Sequence, residues 1–209
     1  MITIHFLRHG ETVWHHDNRY AGVSDVALTD RGRQQAQELA PWAAAADIRL
    51  VATSDLSRAI ETAQPVAAVA GVPYHVDPGL REVDFGRGEG LTRTEMRARF
   101  PAELAAFLAN PASVPLPGGE RGVDAADRGL RALAALGGPY DERTIAVVAH
   151  STLIRLLLCR LIGLPLDDYR RRFPVMGNAT VTTVRVPAGP GAEDLVGAAE
   201  LIRFNAPAR

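Results

Sequence analysis

The chain has 209 residues and a formal net charge of −1, which suits one domain with a single core and gives no overall attraction to nucleic acid or membranes. All 23 cationic side chains are arginine, so the absence of lysine excludes a Schiff-base lysine, a pyridoxal phosphate anchor and a P-loop lysine. The single cysteine, Cys159, cannot form an internal disulfide, and no apolar run could span a bilayer, so we expect a cytoplasmic protein.

The first informative element is a strand that ends in Arg-His-Gly. Residues 2–7 (ITIHFL) are short, β-branched and hydrophobic, which predicts a buried strand. Gly10 is expected to let the chain turn after Arg8 and His9, because glycine tolerates backbone angles that other residues avoid. The alternative is a strand that ends in ordinary polar residues. Since α/β folds usually bind ligands at the carboxyl ends of their strands, Arg8 and His9 are candidate site residues.

Strand and helix signals then alternate along the chain. The predicted helices run from Thr29 or Asp30 to about Ala45, from Ser54 or Asp55 to about Ala70, over 92–110 with a break before Pro101, over 124–136 and over 153–163. The further predicted strands are 50–53, 74–76, 144–149, 181–186 and 195–204. This alternation predicts an α/β fold in one domain, 1–209: a three-layer sandwich of a mainly parallel sheet flanked by helices. Residues 92–117 interrupt the alternation and are predicted to form a short helical lid.

Other polar side chains follow strand ends or begin helices in the same way. Arg58 lies in the first turn of a predicted helix, where the backbone amides favour an anion. Glu82 lies in a glycine-rich loop, His150 follows the strand 144–149, and the segment 18–22 (NRYAG) lies just after the first motif. An isolated arginine such as Arg58 is usually a solvated surface residue. Two histidines, two arginines and a glutamate in such positions together indicate one site.

These stretches, in this order, resemble the histidine phosphatase superfamily, which includes the cofactor-dependent phosphoglycerate mutases. The resemblance covers nearly the whole chain. It implies an α/β sandwich with a small helical lid and a covalent phosphohistidine intermediate on His9. It also implies that Arg8, Arg58 and His150 hold the phosphoryl group and that Glu82 is the proton donor.

The chemistry of phosphoryl transfer supports these roles independently. The reaction needs positioning and positive charge around the equatorial oxygens, and arginine offers paired donors that suit phosphate. His9 must be neutral to act as a nucleophile, whereas His150 beside a dianion would favour its protonated form. Asp84 is the alternative to Glu82 as the acid. This scheme requires no metal and no cofactor, and His5 and His9 have metal-ligand spacing only on a helix.

Two positions depart from the family pattern. His15 stands where the family commonly has an asparagine that contacts phosphate, and Ser151 replaces the glycine usual after the late histidine. We expect both to bind substrate, together with Asn18 and Gly22. The run Arg170-Arg171-Arg172 is interpreted as a solvated helix face or loop.

The function predicted is that of a histidine acid-type phosphatase, a phosphomonoesterase acting on a small sugar phosphate or phosphoglycerate-like metabolite. The alternatives are a cofactor-dependent phosphoglycerate mutase and a non-catalytic module that binds a phosphate ligand. Mutases of this family typically have a longer lid and an Asn-Lys pair after the glutamate loop, where this chain has Leu91-Thr92-Arg93. A binding module would be expected to lose His9 or Glu82.

Substrate and assembly are less closely defined by the sequence. Arginines in the loop and lid regions could meet a second anionic group of the substrate; they are Arg87, Arg93, Arg97 and Arg121. For Arg97 and Arg99, decoration of the lid helices is the preferred interpretation. The expected partner is a small phosphate ester, with no nucleic acid and no membrane, and the segment 181–204 could supply an edge strand for a homodimer.

Overall fold

The structure, a computed structural model, describes residues 1–137, 143–189 and 191–208. The strands are β1 (Ile2–Arg8), β2 (Leu50–Thr53), β3 (Tyr74–Val76), β4 (Thr144–Ala149), β5 (Thr180–Val186) and β6 (Glu200–Pro207). The helices are α1 (Asp30–Glu38), α2 (Ala40–Ala45), α3 (Ser57–Ala70), α4 (Arg93–Arg99), α5 (Pro101–Ala109), α6 (Gly122–Gly137), α7 (Ser151–Leu161) and α8 (Tyr169–Arg172).

All six strands form one sheet in the order β3-β2-β4-β1-β5-β6. β1 to β4 pair in parallel, whereas β5 and β6 add an antiparallel hairpin at one side. Arg8 is in register with Ala149, so His9 and His150 leave neighbouring strands at the same edge of the sheet. The topology therefore brings the two histidines together, as their positions after strands predict.

The helices cover both faces of the sheet, which confirms the predicted α/β sandwich. One apolar cluster joins Phe6 and Val147 to α6 and α7. The second joins Leu7 and Val148 to α2 and α3 on the opposite face. Cys159 is buried in the first cluster, and burial raises the pKa of its thiol to about 11.

Several predicted boundaries are wrong, and α7 begins at Ser151 and ends at Leu161 instead of spanning 153–163. The helix predicted over 29–45 is two helices, because the chain turns at Leu39 and Pro41 cannot donate the hydrogen bond that a continuous helix would need. α3 begins at Ser57 rather than at Ser54 or Asp55, because Ser54 is buried against His150. β6 begins at Glu200, since the residues from Glu193 form a short 3-10 turn.

Residues 92–117 contain two short helices that break before Pro101, as predicted. Thr92 begins α4 with a reciprocal capping box to Glu95. Phe100 and Phe107 are buried in the main core, so packing accounts for both rings. The division of the chain into one domain with 92–117 as a lid stays a prediction. Within the described ranges, no helix has the length and apolar character needed to cross a membrane.

Candidate active site

A cleft of about 1010 Å³ opens at the carboxyl edge of the sheet. Its volume suits a small metabolite rather than a bare phosphate ion. Of the residues predicted for the site, those that line the cleft are Arg8, His9, His15, Asn18, Glu82 and Ser151. Arg58, His150 and Gly22 are fully or nearly fully buried and lie behind this surface.

His9 lies in the floor of the cleft with only 5% of its surface exposed. Its Nδ1 lies 2.7 Å from the carbonyl oxygen of Gly10, so Nδ1 carries the proton and donates, and Nε2 keeps its lone pair. Burial lowers the pKa of His9 well below its usual value, and the charges of Arg58 and Arg8 lower it further. The imidazole is therefore neutral, as a nucleophile requires.

Arg8 is held beside His9 by two contacts at its terminal nitrogens. Nη1 donates to the carbonyl of Met176, and Nη2 lies 2.5 Å from Nε2 of His15. An arginine can only donate, so His15 accepts at Nε2. Its Nδ1 lies 2.7 Å from Oγ1 of Thr12 and 2.9 Å from the amide nitrogen of the same residue. Burial lowers the pKa of His15 to about 4, with a further contribution from Arg8. His15 thus replaces the expected asparagine as a neutral acceptor for Arg8.

Arg58 is completely buried at the start of α3, so the interpretation of a solvated arginine is wrong. Its Nη1 and Nη2 donate to the carbonyls of Ser24 and Gly22 at 2.8 and 2.6 Å. Glu89 in turn accepts from the amides of Val23 and Ser24 at 2.8 Å each, which fixes the loop that carries those carbonyls. Gly22 therefore supports Arg58 instead of lining the cleft.

His150 lies against His9, with ring centroids 5.1 Å apart. Its Nε2 is 2.7 Å from Oγ of Ser54, which itself accepts a longer bond from the amide of Leu56. If Ser54 donates to Nε2 while it accepts from Leu56, His150 carries its proton on Nδ1 and can donate it to an anion. Burial, with Arg58 next, lowers the pKa of His150 well below its usual value, so without ligand it is neutral.

Three nitrogens in this group are buried and have no hydrogen-bond partner: Nε of Arg8, Nε of Arg58 and Nδ1 of His150. A buried donor without an acceptor is costly, and native structures rarely keep one without a reason. All three belong to side chains whose charges or rings act directly on His9. Oxygen atoms of a bound anion would supply the missing acceptors.

Glu82 reaches the same site from the loop before α4. Its Oε2 accepts from the amide of Thr152 at 2.8 Å, and Oε1 accepts from the amides of Leu153 and Val83 at 2.8 and 3.0 Å. Two of these donors belong to the first turn of α7, the helix that follows His150. Asp84, the alternative acid, instead accepts from the amide of Gly86 and does not line the cleft.

Sequence reasoning missed the residue that holds the Glu82 loop. Arg128 of α6 donates to the carbonyls of Gly79, Arg81 and Glu82, each at 2.8 Å. Its remaining donors bind the carboxylate of Glu120 at 2.8 and 2.9 Å. Arg128 is 46 residues from Glu82, and no local pattern distinguishes it from a surface arginine.

The structure gives a different reason for Gly10 from the one expected. Gly10 is not among the residues with positive φ, so no unusual backbone angle is required there. A Cβ atom at Gly10 would instead lie 2.4 Å from the carbonyl oxygen of Gly32. Close approach of α1 to the end of β1 therefore requires a glycine.

Of the arginines considered for a second anionic group, only Arg93 lines the cleft, where Nε donates to the hydroxyl of Tyr20 at 3.2 Å. Arg87 lies over the ring of Phe100, Arg121 pairs with Asp124, and Arg97 is exposed. Besides Arg8 and Arg93, three other arginines line the cleft: Arg19, which pairs with Asp17 and Glu95, Arg155 of α7 and Arg170 of α8. The interpretation of residues 170–172 as solvated is therefore wrong for Arg170.

Two other features bear on the chemistry. Asn178, which the sequence did not single out, donates through Nδ2 to the carbonyl of His9 at 3.0 Å. The described part of the chain contains no group of three or more histidine, cysteine or acidic residues that could hold a metal ion.

Comparison with known proteins identifies the family. Residues 4–197 match the sequence model of the histidine phosphatase superfamily, branch 1. The chain belongs to this superfamily. The resemblance that the sequence motifs indicated is thus confirmed.

Relatives and solved structures agree with this assignment. A glucosyl-3-phosphoglycerate phosphatase of Mycolicibacterium vanbaalenii is 36% identical over 200 residues, covering 89% of this chain and 87% of the relative. Phosphoglycerate mutase-like protein 4 of Arabidopsis thaliana is 40% identical over 154 residues, covering 72% and 67%. The structure of mycobacterial glucosyl-3-phosphoglycerate phosphatase in complex with VO3 superposes with a TM-score of 0.85 at 32% identity, covering 98% of this chain and 99% of that one. Phosphoester hydrolysis, the predicted chemistry, fits these relatives.

Proposed function

We propose that this protein is a histidine acid-type phosphatase that hydrolyses a small phosphate monoester through a phosphohistidine intermediate on His9. The observation that carries the proposal is the hydrogen bond from Nδ1 of His9 to the carbonyl of Gly10. It leaves Nε2 unprotonated in a buried site where one nitrogen each of Arg8, Arg58 and His150 has no hydrogen-bond partner.

In the first step, Nε2 of His9 attacks phosphorus and forms the N–P bond while the P–O bond to the alcohol breaks. Glu82 donates its proton to the departing oxygen, so the alcohol leaves neutral. Arg8, Arg58 and His150 donate to the equatorial oxygens and stabilise their charge. The buried, unpartnered nitrogens of these three residues support this role.

In the second step, water attacks phosphorus and gives one proton to the Glu82 carboxylate. The N–P bond breaks, inorganic phosphate forms, and His9 returns to its neutral state with Nδ1 still protonated. The Glu82 carboxyl group recovers the proton that it lost in the first step. The two half-reactions therefore balance without a metal or a redox partner.

The acid-type assignment rests on the environment of His9. Because burial and two arginine charges lower its pKa well below 6.5, the free imidazole stays neutral at a pH where an ordinary histidine is already protonated. The same holds for His15, whose pKa is about 4. We expect hydrolysis to continue at pH values where an ordinary histidine nucleophile would be protonated.

The substrate proposed is a phosphoglycerate-like or sugar phosphate ester. The cleft of about 1010 Å³ leaves room for an organic portion beside the phosphoryl group. The named substrate of the mycobacterial relatives, glucosyl-3-phosphoglycerate, is of this class.

The test is capture of the intermediate. Wild-type protein mixed with a ³²P-labelled ester and quenched in alkali within milliseconds should carry label on histidine, and His9→Gln should carry none. The variant should lose about 10⁴-fold or more in kcat, since the nucleophile is removed. His16→Gln is the control, because His16 is exposed outside the cleft.

Other results would point to the alternatives. Rapid turnover without labelled histidine in wild type would contradict the proposed mechanism. Phosphoryl exchange between phosphoglycerates, stimulated by a bisphosphate, would indicate a mutase. Tight binding of esters without hydrolysis would indicate a binding module.

A further inference from the structure

We propose that Arg155 and Arg170 form a second anion-binding subsite in the cleft, which selects phosphate esters that also carry a carboxylate. This inference rests on the proposed function, because it defines the organic portion of the substrate that the phosphatase accepts. The two residues are called the arginine pair below.

The arginine pair is built around one tyrosine. The guanidinium carbon of Arg155 lies 4.9 Å from the ring centroid of Tyr169, and that of Arg170 lies 5.4 Å from the same centroid. Tyr169 is completely buried, so both cationic groups stand against a fixed support. Arg170 also lies 4.5 Å from the ring centroid of Phe107 in α5. Aromatic faces favour guanidinium groups and hold them without neutralising their charge.

No carboxylate lies within ion-pair distance of either member of the arginine pair among the described residues. Arg155 donates to the carbonyls of Ser151 and Phe173, and Nε of Arg170 donates to the hydroxyl of Tyr169 at 2.9 Å. Nη1 of Arg170 is buried without any hydrogen-bond partner. Two adjacent, half-buried cations with a free donor are unfavourable unless an anion joins them.

The two arginines that follow Arg170 on α8 differ from it in exposure and in their ion pairs. Arg171 and Arg172 both pair with Asp168 and are exposed, with 69% and 47% of their side-chain surfaces accessible. Neither lines the cleft. Arg170 is therefore the one arginine of this run that is turned to the cleft and kept away from the local carboxylate.

The position of the pair fits a substrate that spans two sites. Arg155 lies four residues beyond Ser151, about 6 Å along α7, and the first turn of this helix holds Glu82. An ester whose phosphoryl group reaches His9 would therefore extend its organic portion toward the pair. A carboxylate suits the planar donors of arginine and supplies the acceptor that Arg170 lacks.

The experiment compares 3-phosphoglycerate with glycerol 3-phosphate, which differ only in a carboxylate against a hydroxymethyl group. We expect wild-type kcat/KM to favour 3-phosphoglycerate by about 10- to 100-fold, the range that a charge-assisted hydrogen bond gives. Arg170→Gln should remove most of this preference and leave kcat/KM for glycerol 3-phosphate within about threefold of wild type. Arg170→Lys, which keeps the charge, should retain part of the preference.

Two variants serve as matched controls. Arg171→Gln changes the adjacent arginine of the same helix and should alter neither substrate. Arg93→Gln changes the exposed arginine at the cleft and should keep the preference. Any of three results would overturn the proposal. Wild type could show no preference, Arg170→Gln could lose the same activity toward both esters, or the preference could be lost in Arg93→Gln rather than in Arg170→Gln.

A binding measurement separates this inference from the proposed function. Calorimetry with the phosphonate counterparts of both esters, in which a methylene replaces the ester oxygen, should show the same preference and its loss in Arg170→Gln. If that holds while neither ester is hydrolysed, the subsite stands and the phosphatase proposal fails. If both esters are hydrolysed and both phosphonates bind equally, the subsite proposal fails alone.

Discussion

Arg58, which lies directly behind the cleft, and Arg170, which lines it, are held in different ways. Arg58 has no exposed surface, and backbone carbonyls of a loop fixed by Glu89 bind both of its terminal nitrogens. Arg170 is half-buried and held by the faces of two aromatic rings. Hydrogen bonds to carbonyls occupy the terminal nitrogens of Arg58, whereas ring contacts hold the Arg170 guanidinium and leave its terminal nitrogens available to another group. The first arrangement suits charge stabilisation in a transition state, and the second suits recognition of a variable group.

The largest expected effect comes from removing the rigidly held arginine. Arg58→Met should lower kcat/KM by about 10²–10³-fold for every ester, because the phosphoryl group is common to all of them. The variant also leaves the carbonyls of Gly22 and Ser24 without their partner, so unfolding in urea should be measured alongside. Arg33→Met, at an arginine with 52% of its side chain exposed, is the control. A loss confined to carboxylate-bearing esters would contradict the distinction between the two arginines.

A second test displaces Glu82, the proposed acid, without changing a residue that lines the cleft. Arg128→Gln releases the three carbonyls of residues 79–82 that position Glu82. Misplacement of a reacting group by about 1 Å can cost about 10²-fold, so we expect kcat to fall about 10- to 100-fold with little change in KM. Arg131→Gln, on the exposed side of the same helix, should have no such effect. An increase in KM with unchanged kcat would show that Arg128 does not act through Glu82.

A smaller effect is expected where the chain departs from its family. His15→Asn should change kcat/KM less than about fivefold above pH 5, because neutral His15 and asparagine both offer Arg8 an acceptor. Since the pKa of His15 is about 4, lowering the pH toward 4 protonates it beside Arg8 and removes that acceptor. Wild-type kcat/KM should therefore fall more steeply than that of the variant between pH 5 and 4. Parallel pH profiles would contradict this role.

The smallest effect concerns a half-buried histidine away from the cleft. His5 packs against Trp42, and burial, aided by Arg203, lowers its pKa from 6.5 to about 4. Its contribution to stability is complete above pH 6.5 and is lost as the pH falls toward 4, because the unfolded chain binds the proton first. After allowance for partial solvent screening, about 1 kcal/mol should be lost between pH 7 and 5. Urea unfolding at both pH values should show a smaller difference for His5→Gln than for wild type.

The sequence predicted those parts of the site that lie at the ends of its own elements. Arg8, His9, Arg58 and His150 follow strands or begin helices, and a parallel sheet must bring such positions to one edge. The helix boundary at Leu39 was missed because the alanine-rich stretch continues the helical pattern past it. Local propensity alone does not report where two helices must change direction to follow a sheet.

The supporting residues could not be predicted in this way. Arg128 and Arg170 act through contacts with segments distant in the chain, namely residues 79–82 and Phe107. Nothing in the run of three arginines distinguishes Arg170 from its neighbours until α5 places a ring against it. The same limit applies to Gly10, whose need for glycine comes from the backbone of Gly32. Such roles arise from packing and leave no periodic signal.

The contact between Nδ1 of His9 and Gly10 also determines which isomer a phosphorylated enzyme would carry. With Nδ1 occupied by its proton, phosphorus can join only the distant nitrogen, which yields the tele isomer. The phosphorylated ring is then an imidazolium, which leaves as neutral imidazole, whereas a ring without the Nδ1 proton would have to leave as the much poorer imidazolate. Denaturation in alkali would free that proton, so the isolated phosphoramidate should outlast the same bond in the folded enzyme.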